Sequence, residues 1–200
     1  RDTLLHYSSN VHIVLDVHEE LGNVRKTNYR LNRPVNLVWE GRAQNLPAFQ
    51  LLGPVIKSLA NEFSFAFHFV TDLTYGAYLD KFVARQAKDI VKPLFKNCQL
   101  YEWNTATAAA IMTACDIGII AVDERDPISW GKPENKLLLM WRLGLPVIAS
   151  ASPAYSRAMA NANQPWLACS TPADWQRALR RLSTDEAEPV SYTHLTLPTI

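Results

Sequence analysis

From Pro34 onward, apolar runs of strand length alternate with longer stretches of helical periodicity, and that alternation limits the possible folds more than any other feature of the chain. The runs are VNLVWEG (35–41), FSFAFHFVTD (63–72), QLYEW (99–103), DIGIIAVD (116–123), LPVIAS (145–150) and WLACS (166–170). Several are apolar at both parities, as in strands of a parallel sheet whose two faces are both covered by helices. Between them, 45–62 places Phe49, Leu52, Val55, Ile56 and Leu59 on one side, with Gly53 and Pro54 predicting a kink or a break. Residues 77–95 read as one amphipathic helix carrying Leu79, Phe82, Val83, Ile90, Val91 and Leu94, and 105–114 as another with threonines to cap it. Further helices are predicted over 133–143, 153–163 and 172–182, with Pro133, Pro153 and Pro172 near their starts and Gly144 at a C′ position. β-α alternation with right-handed crossovers specifies an α/β fold, an open doubly wound parallel sheet of Rossmann-like type.

In such a sheet ligands sit beyond the strand carboxyl ends, so the loops GRAQN, TDLTYG, WNTAT and DERDPISWGKPEN come first for chemistry. Lys132 precedes the predicted helix start at Pro133, and Asn135 and Lys136 fall in its first turn, where the macrodipole favours carboxylates. Two lysines there suit a shared anion, with Glu134 partly offsetting them; solvated surface lysines are the plainer alternative. After the first strand, Gly41 lets backbone approach a ligand and Arg42 offers a fork for phosphate oxygens, or is a surface cation. Trp103 and Asn104 end the third strand, where the tryptophan either stacks on a ligand ring or closes the core, and Trp130 leaves the same two roles open. His68, inside an apolar strand, reads as a core histidine. No HExxH, Walker loop or Ser-His-Asp spacing is present, which argues against hydrolase and P-loop chemistry.

Composition narrows the partners. A net charge of +1 gives no field for collecting nucleic acid. Cys98, Cys115 and Cys169 lack metal-site spacing and read as small core residues of a reducing compartment. No apolar stretch has the length of a membrane helix. The arginines of WQRALRRL (Arg177, Arg180, Arg181) form either a solvated helix face or an approach to an anionic membrane.

The segment WGKPENKLLLMWRLGLPVIAS (130–150) resembles the KPxNKLLEYMAxGxPVIAS pattern of GT-B glycosyltransferases related to retaining family 4, and the resemblance extends through VNLVWEGR, CDIGIIAVD and SNVHIVLD. It implies the C-terminal, donor-binding half of a two-domain enzyme over residues 1–190, with an N-terminal acceptor-binding domain missing and 191–200 (SYTHLTLPTI) a non-native tail, or else a short terminal strand. The implied substrate is a nucleotide sugar (UDP-, GDP- or ADP-linked), with no separate cofactor and no metal, and the implied location is the cytoplasm or the periphery of a membrane. Arg42, Lys132 and Lys136 would then neutralise the diphosphate in catalysis, and Gly41, Trp103, Asn104, Glu134 and Asn135 would hold the donor. The sequence departs from the pattern twice. AQNLP lacks the lysine that often follows Arg42, and Leu139 stands where a glutamate commonly holds the ribose, leaving Glu134, Glu124 or Asp123 to take over. A non-catalytic domain with a decayed site and a GT-B-fold epimerase are the rival readings.

Overall fold

The computed structural model describes Tyr7, Ser8, Asn10, Leu21 and residues 23–77 and 80–184, with backbone alone at 77 and 80–83. Of SNVHIVLD (9–16) only Asn10 is among the described residues, and the tail 191–200 lies outside them. Strand β1 (Val35–Glu40) passes through a 3-10 segment (Ala43–Leu51) into helix α1 (Leu52–Leu59) and β2 (Phe65–Thr71). A hairpin, β3 (Thr74–Ala77) and β4 (Asp80–Gln86), and the short α2 (Ala87–Val91) precede β5 (Cys98–Glu102). Helix α3 (Thr105–Ala114) crosses to β6 (Ile117–Ile120), and α4 (Pro127–Trp130) and α5 (Asn135–Arg142) lead to β7 (Val147–Ser150). Then α6 (Pro153–Asn161), a 3-10 turn (Pro165–Leu167), β8 (Ala168–Cys169) and α7 (Pro172–Thr184) complete the layer.

The main sheet has six strands in the order β5-β2-β1-β6-β7-β8, and every neighbouring pair is parallel. The chain order therefore reverses between β1 and β6, and this is the topological switch point of a doubly wound sheet. Every residue of β6 and β7 is buried, as their two-parity apolar runs require. On one face Trp39 and Phe69 stand opposite each other in register, and Phe49 from the 3-10 segment sets its ring edge-on at 5.6 Å from Trp39 and 5.1 Å from Phe69. On the other, a Cβ on Gly118 would lie 2.6 Å from the Met140 sulfur, so the absent side chain lets α5 lie close to β6. Gly144, at φ +80°, ends α5 in a Schellman arrangement, its N–H donating to Trp141 O and that of Leu145 to Met140 O.

The helix expected over 77–95 is corrected. Antiparallel pairing of Thr74 with Gln86, Tyr75 with Arg85 and Gly76 with Ala84 takes the backbone groups of this stretch. Apolar spacing is a weak prior against that ladder, and Pro93, which has no N–H, stops the remaining helical turn at Val91. The break expected near Gly53 and Pro54 falls one residue earlier than Gly53, where the 3-10 segment gives way to α1 at Leu52.

Helix α7 returns onto α1 through Gln176 Nε2 to Ser58 Oγ (2.8 Å) and a two-pronged Arg180–Glu62 pair (both 2.8 Å). Arg177 is bonded to Asp174, and the Arg181 guanidinium lies 4.2 Å over the Trp166 ring. The three arginines that suggested a membrane-facing patch are thus each engaged within the domain. No helix among the described residues is long and apolar enough to cross a membrane.

His68 is a core histidine with half its hydrogen bonding met. Its Nδ1 lies 3.0 Å from the Tyr101 hydroxyl, while Nε2 is buried with no partner among the described residues. Burial pushes its pKa below the usual histidine range, against the opposing charge of Asp116. A folded-state pKa below the unfolded one means that its contribution to stability is complete above about pH 6.5 and is lost as the pH falls below that. Urea titrations of the wild type and His68→Phe are expected to show a stability difference that is flat at neutral pH and moves against the wild type in acid; a pH-independent difference would contradict this.

Candidate functional site at the sheet switch point

The carboxyl ends of β1 and β6 flank a cavity of about 160 Å³, closed by the 3-10 segment, the α4–α5 loop and α6. Its lining includes Trp39, Asn45, Asp123, Ser129, Lys132, Lys136 and Tyr155. Lys136 is the second residue of α5, and its side chain reaches back across the end of β1. The ammonium donates to Glu40 O at 2.7 Å, lies 3.6 Å from the Glu40 carboxylate, and sits 5.2 Å over the Trp39 ring. Burial lowers its pKa, Glu40 opposes that shift and Lys132 adds to it. Gly41 makes this reach feasible: it holds φ at +151°, and a Cβ there would collide with the Lys136 ammonium. Its own N–H donates to Val70 O (3.1 Å), so its contribution is the space left by the missing side chain, and no donor is left over for a ligand.

The other two predicted cations are exposed. Helix α5 starts at Asn135, two residues later than expected, so Lys132 lies in the loop before it, exposed, with Nζ 3.4 Å from Ser129 Oγ. Arg42 is exposed at the head of the 3-10 segment and makes no ion pair among the described residues. The leading N–H groups of that segment and of α5, like those at any helix start, have no intrahelical acceptor. Glu134 occupies the N-cap position of α5, but both its oxygens accept from Arg157 Nη2 (3.0 and 3.2 Å), which removes it from the lysines. Of the cavity carboxylates, Asp123 is forked by Arg125 at 2.9 Å on each oxygen, and Asp126 caps α4 by accepting from Ile128 N at 3.1 Å. Hydrogen bonding to Arg125 and to Ser129 holds their respective pKa values below the usual carboxylate range.

A second cavity of about 320 Å³ continues beyond Asp123 to the ends of β7 and β8, and Glu124 and Trp130 line it. Leu139, 4% exposed, faces the core, so the position that departs from the resemblance takes no part in either cavity. Trp103 and Asn104 end the edge strand β5 and line neither cavity. The structure thus groups Gly41, Lys132 and Lys136, and leaves Trp103 and Asn104 apart from them. Asn104 has a local task, its Oδ1 accepting from Ala106 N at 2.8 Å to cap α3. Asn104→Ala is expected to cost about 1 kcal/mol of stability in a denaturant titration, with Asn104→Asp close to neutral; an unchanged midpoint for the alanine would remove the cap from its role.

Sequence reasoning missed Glu40, Trp39, Ser129 and Tyr155. Glu40, the one charge of an otherwise uncharged strand, was the visible signal. Burial pushes the Tyr155 phenol well above its usual range, with Glu134 and Glu40 adding to the shift. No group of three metal-ligating side chains occurs among the described residues.

No protein-family model and no curated protein sequence matches the chain. Among solved structures it is similar to a mutant of the Thermobaculum terrenum O-GlcNAc transferase, at TM-score 0.54 and 13% identity over 90% of this chain and 33% of that one. It is also similar to WaaG, a glycosyltransferase involved in lipopolysaccharide biosynthesis, at TM-score 0.51 and 17% identity over 82% of this chain and 42% of that one. The chain therefore spans less than half the length of either. At these identities the likeness is one of fold, and it places the chain as an α/β, Rossmann-like domain of the GT-B type.

Proposed function

We propose that the chain is the donor-binding part of a glycosyltransferase, which holds the diphosphate of a nucleotide sugar while the sugar passes, with retention, to a glycan, lipid or small-molecule acceptor. The observation that carries this is the meeting, at the switch point, of Lys136 and Lys132 with the start of α5 and the space left by Gly41. A leaving diphosphate concentrates negative charge, and fixed ammonium groups with unpaired helix N–H donors lower the cost of that charge as the sugar bond breaks. Arg42, exposed at the head of the 3-10 segment, is the guanidinium that forks onto the phosphates. The acceptor would be bound by the remainder of a longer enzyme, as the partial coverage of both sugar transferases suggests.

A specific observation favours a second reading. Glu134 is committed to Arg157 and Asp123 to Arg125, so two of the three acids considered for the ribose are not available to it, and Leu139 adds none, which suits a binding module whose site has decayed. Calorimetric titration with UDP, GDP, ADP and their sugar conjugates separates the two. For a donor site, one diphosphate binds selectively, and Lys132→Glu weakens it by about tenfold or more, the worth of a charge-assisted hydrogen bond. Equal affinity in the wild type and Lys132→Glu would sink the donor assignment.

A further inference from the structure

Glu40 has no part in the site as it was read from the sequence, yet it makes the closest contacts of the most buried cation there. Its carboxylate is 16% exposed on the side-chain scale, and Lys136 is its one charged partner among the described residues. The charged and titratable groups around Lys136 come from each neighbouring element: Glu40 from β1, Lys132 from the loop before α5, Asp123 and Asp126 from the segment after β6, and Tyr155 from α6. Asp123 is taken by Arg125 and Asp126 by the start of α4, so Glu40 is the carboxylate left to Lys136. We propose that Glu40 is a positioning residue, its carbonyl and carboxylate together fixing the Lys136 ammonium against the Trp39 ring and the Gly41 backbone as the permanent cation of the site. That an anion is the ligand rests on the function proposed above; that Glu40 holds Lys136 does not.

The physical requirement is plain. Burial and a second lysine both shift an ammonium toward its neutral form, and a carboxylate facing it opposes that shift. A neutral amine at this position would neither attract nor stabilise a phosphate. Glu40 thereby sets how alkaline the solution can become before the site loses its fixed charge. The backbone carbonyl contributes direction: at 2.7 Å it accepts a hydrogen bond from one of the three ammonium N–H groups, which leaves two for other acceptors.

The test uses the 200-residue chain with carbon-13-labelled lysine. The Lys136 Cε resonance, assigned by its loss in Lys136→Arg, is followed from neutral to strongly alkaline pH in the wild type and in Glu40→Gln. Inorganic pyrophosphate serves as the anion probe over the same range. The expected result is that Lys136 titrates at lower pH in Glu40→Gln, and that pyrophosphate affinity falls away at correspondingly lower pH. Coincident Lys136 titrations in the two proteins would overturn the positioning role, whatever pyrophosphate does. A wild type that ignores pyrophosphate while its Lys136 still titrates above that of Glu40→Gln would overturn the anion reading and uphold the Glu40–Lys136 contact. Should glutamine at 40 prevent folding, Glu40→Asp keeps the charge but withdraws it, and must give a Lys136 titration below that of the wild type.

Discussion

Phe49→Ala is expected to lower folding stability by about 3–5 kcal/mol, the range for truncating a buried phenylalanine. Phe49 is fully buried, and its ring meets three others, at 5.6 Å from Trp39, 5.1 Å from Phe69 and 6.3 Å from Phe95, each edge-on. Deleting it removes the apolar area of the ring and those aromatic contacts, and leaves a void between the 3-10 segment and the sheet that neighbours from rigid strands fill poorly. Because the total stability of a domain is about 5–15 kcal/mol, the variant would stand near the edge of folding at room temperature. Urea denaturation should show a lower midpoint at an unchanged slope. Ile128→Ala is the control: Ile128 is 76% exposed, and its loss should move stability by no more than about 0.5 kcal/mol. A Phe49→Ala cost of under about 1 kcal/mol would mean that this face of the sheet is not packed around Phe49.

Gly41→Ala is the second large effect, and it joins stability to the site. At φ +151° the new side chain is strained whatever the space, at a cost of about 1–3 kcal/mol. There is also no space: the Cβ would lie 2.8 Å from Trp39 Cζ2 and strike the Lys136 ammonium, driving it off the Glu40 carbonyl. Gly41→Ala should therefore lose stability and anion binding together. Gly53→Ala is the matched comparison. Gly53 lies in the first turn of α1, its Cβ would meet Leu94 at an ordinary 3.8 Å, and the loss of chain freedom in the unfolded state should make it neutral or stabilising by up to about 1 kcal/mol. Equal thermal midpoints for Gly41→Ala and Gly53→Ala would contradict the close approach of Lys136 to Gly41.

What could be read from the sequence was what repeats locally. The two-parity apolar runs of β6 and β7 announce burial on both faces, and Gly144 announces the end of α5, because each reports on its own backbone. The hairpin was hidden because 77–95 carries helical spacing while its partner ladder begins at Thr74, and the ladder prevails. The capping task of Asn104 was hidden because a polar loop at a strand end and a helix N-cap use the same residues. Lys136 could be singled out in the sequence, but its partner could not: Glu40 lies 96 residues earlier, and only the parallel order of β1 and β6 brings α5 over it. Likewise the sequence alone could not show that Leu139, where the resemblance has an acid, packs in the core.

The central claim is that an anion binds where β1, β6 and α5 meet. The most direct measurement is an amide chemical-shift map of the nitrogen-15-labelled chain during titration with UDP, GDP and ADP. Saturable shifts that cluster on residues 41–45 and 132–138 for at least one nucleotide are the expected result. Amides at 41–45 and 132–138 that stay still under all three, or that move only in step with the rest of the chain, would contradict it.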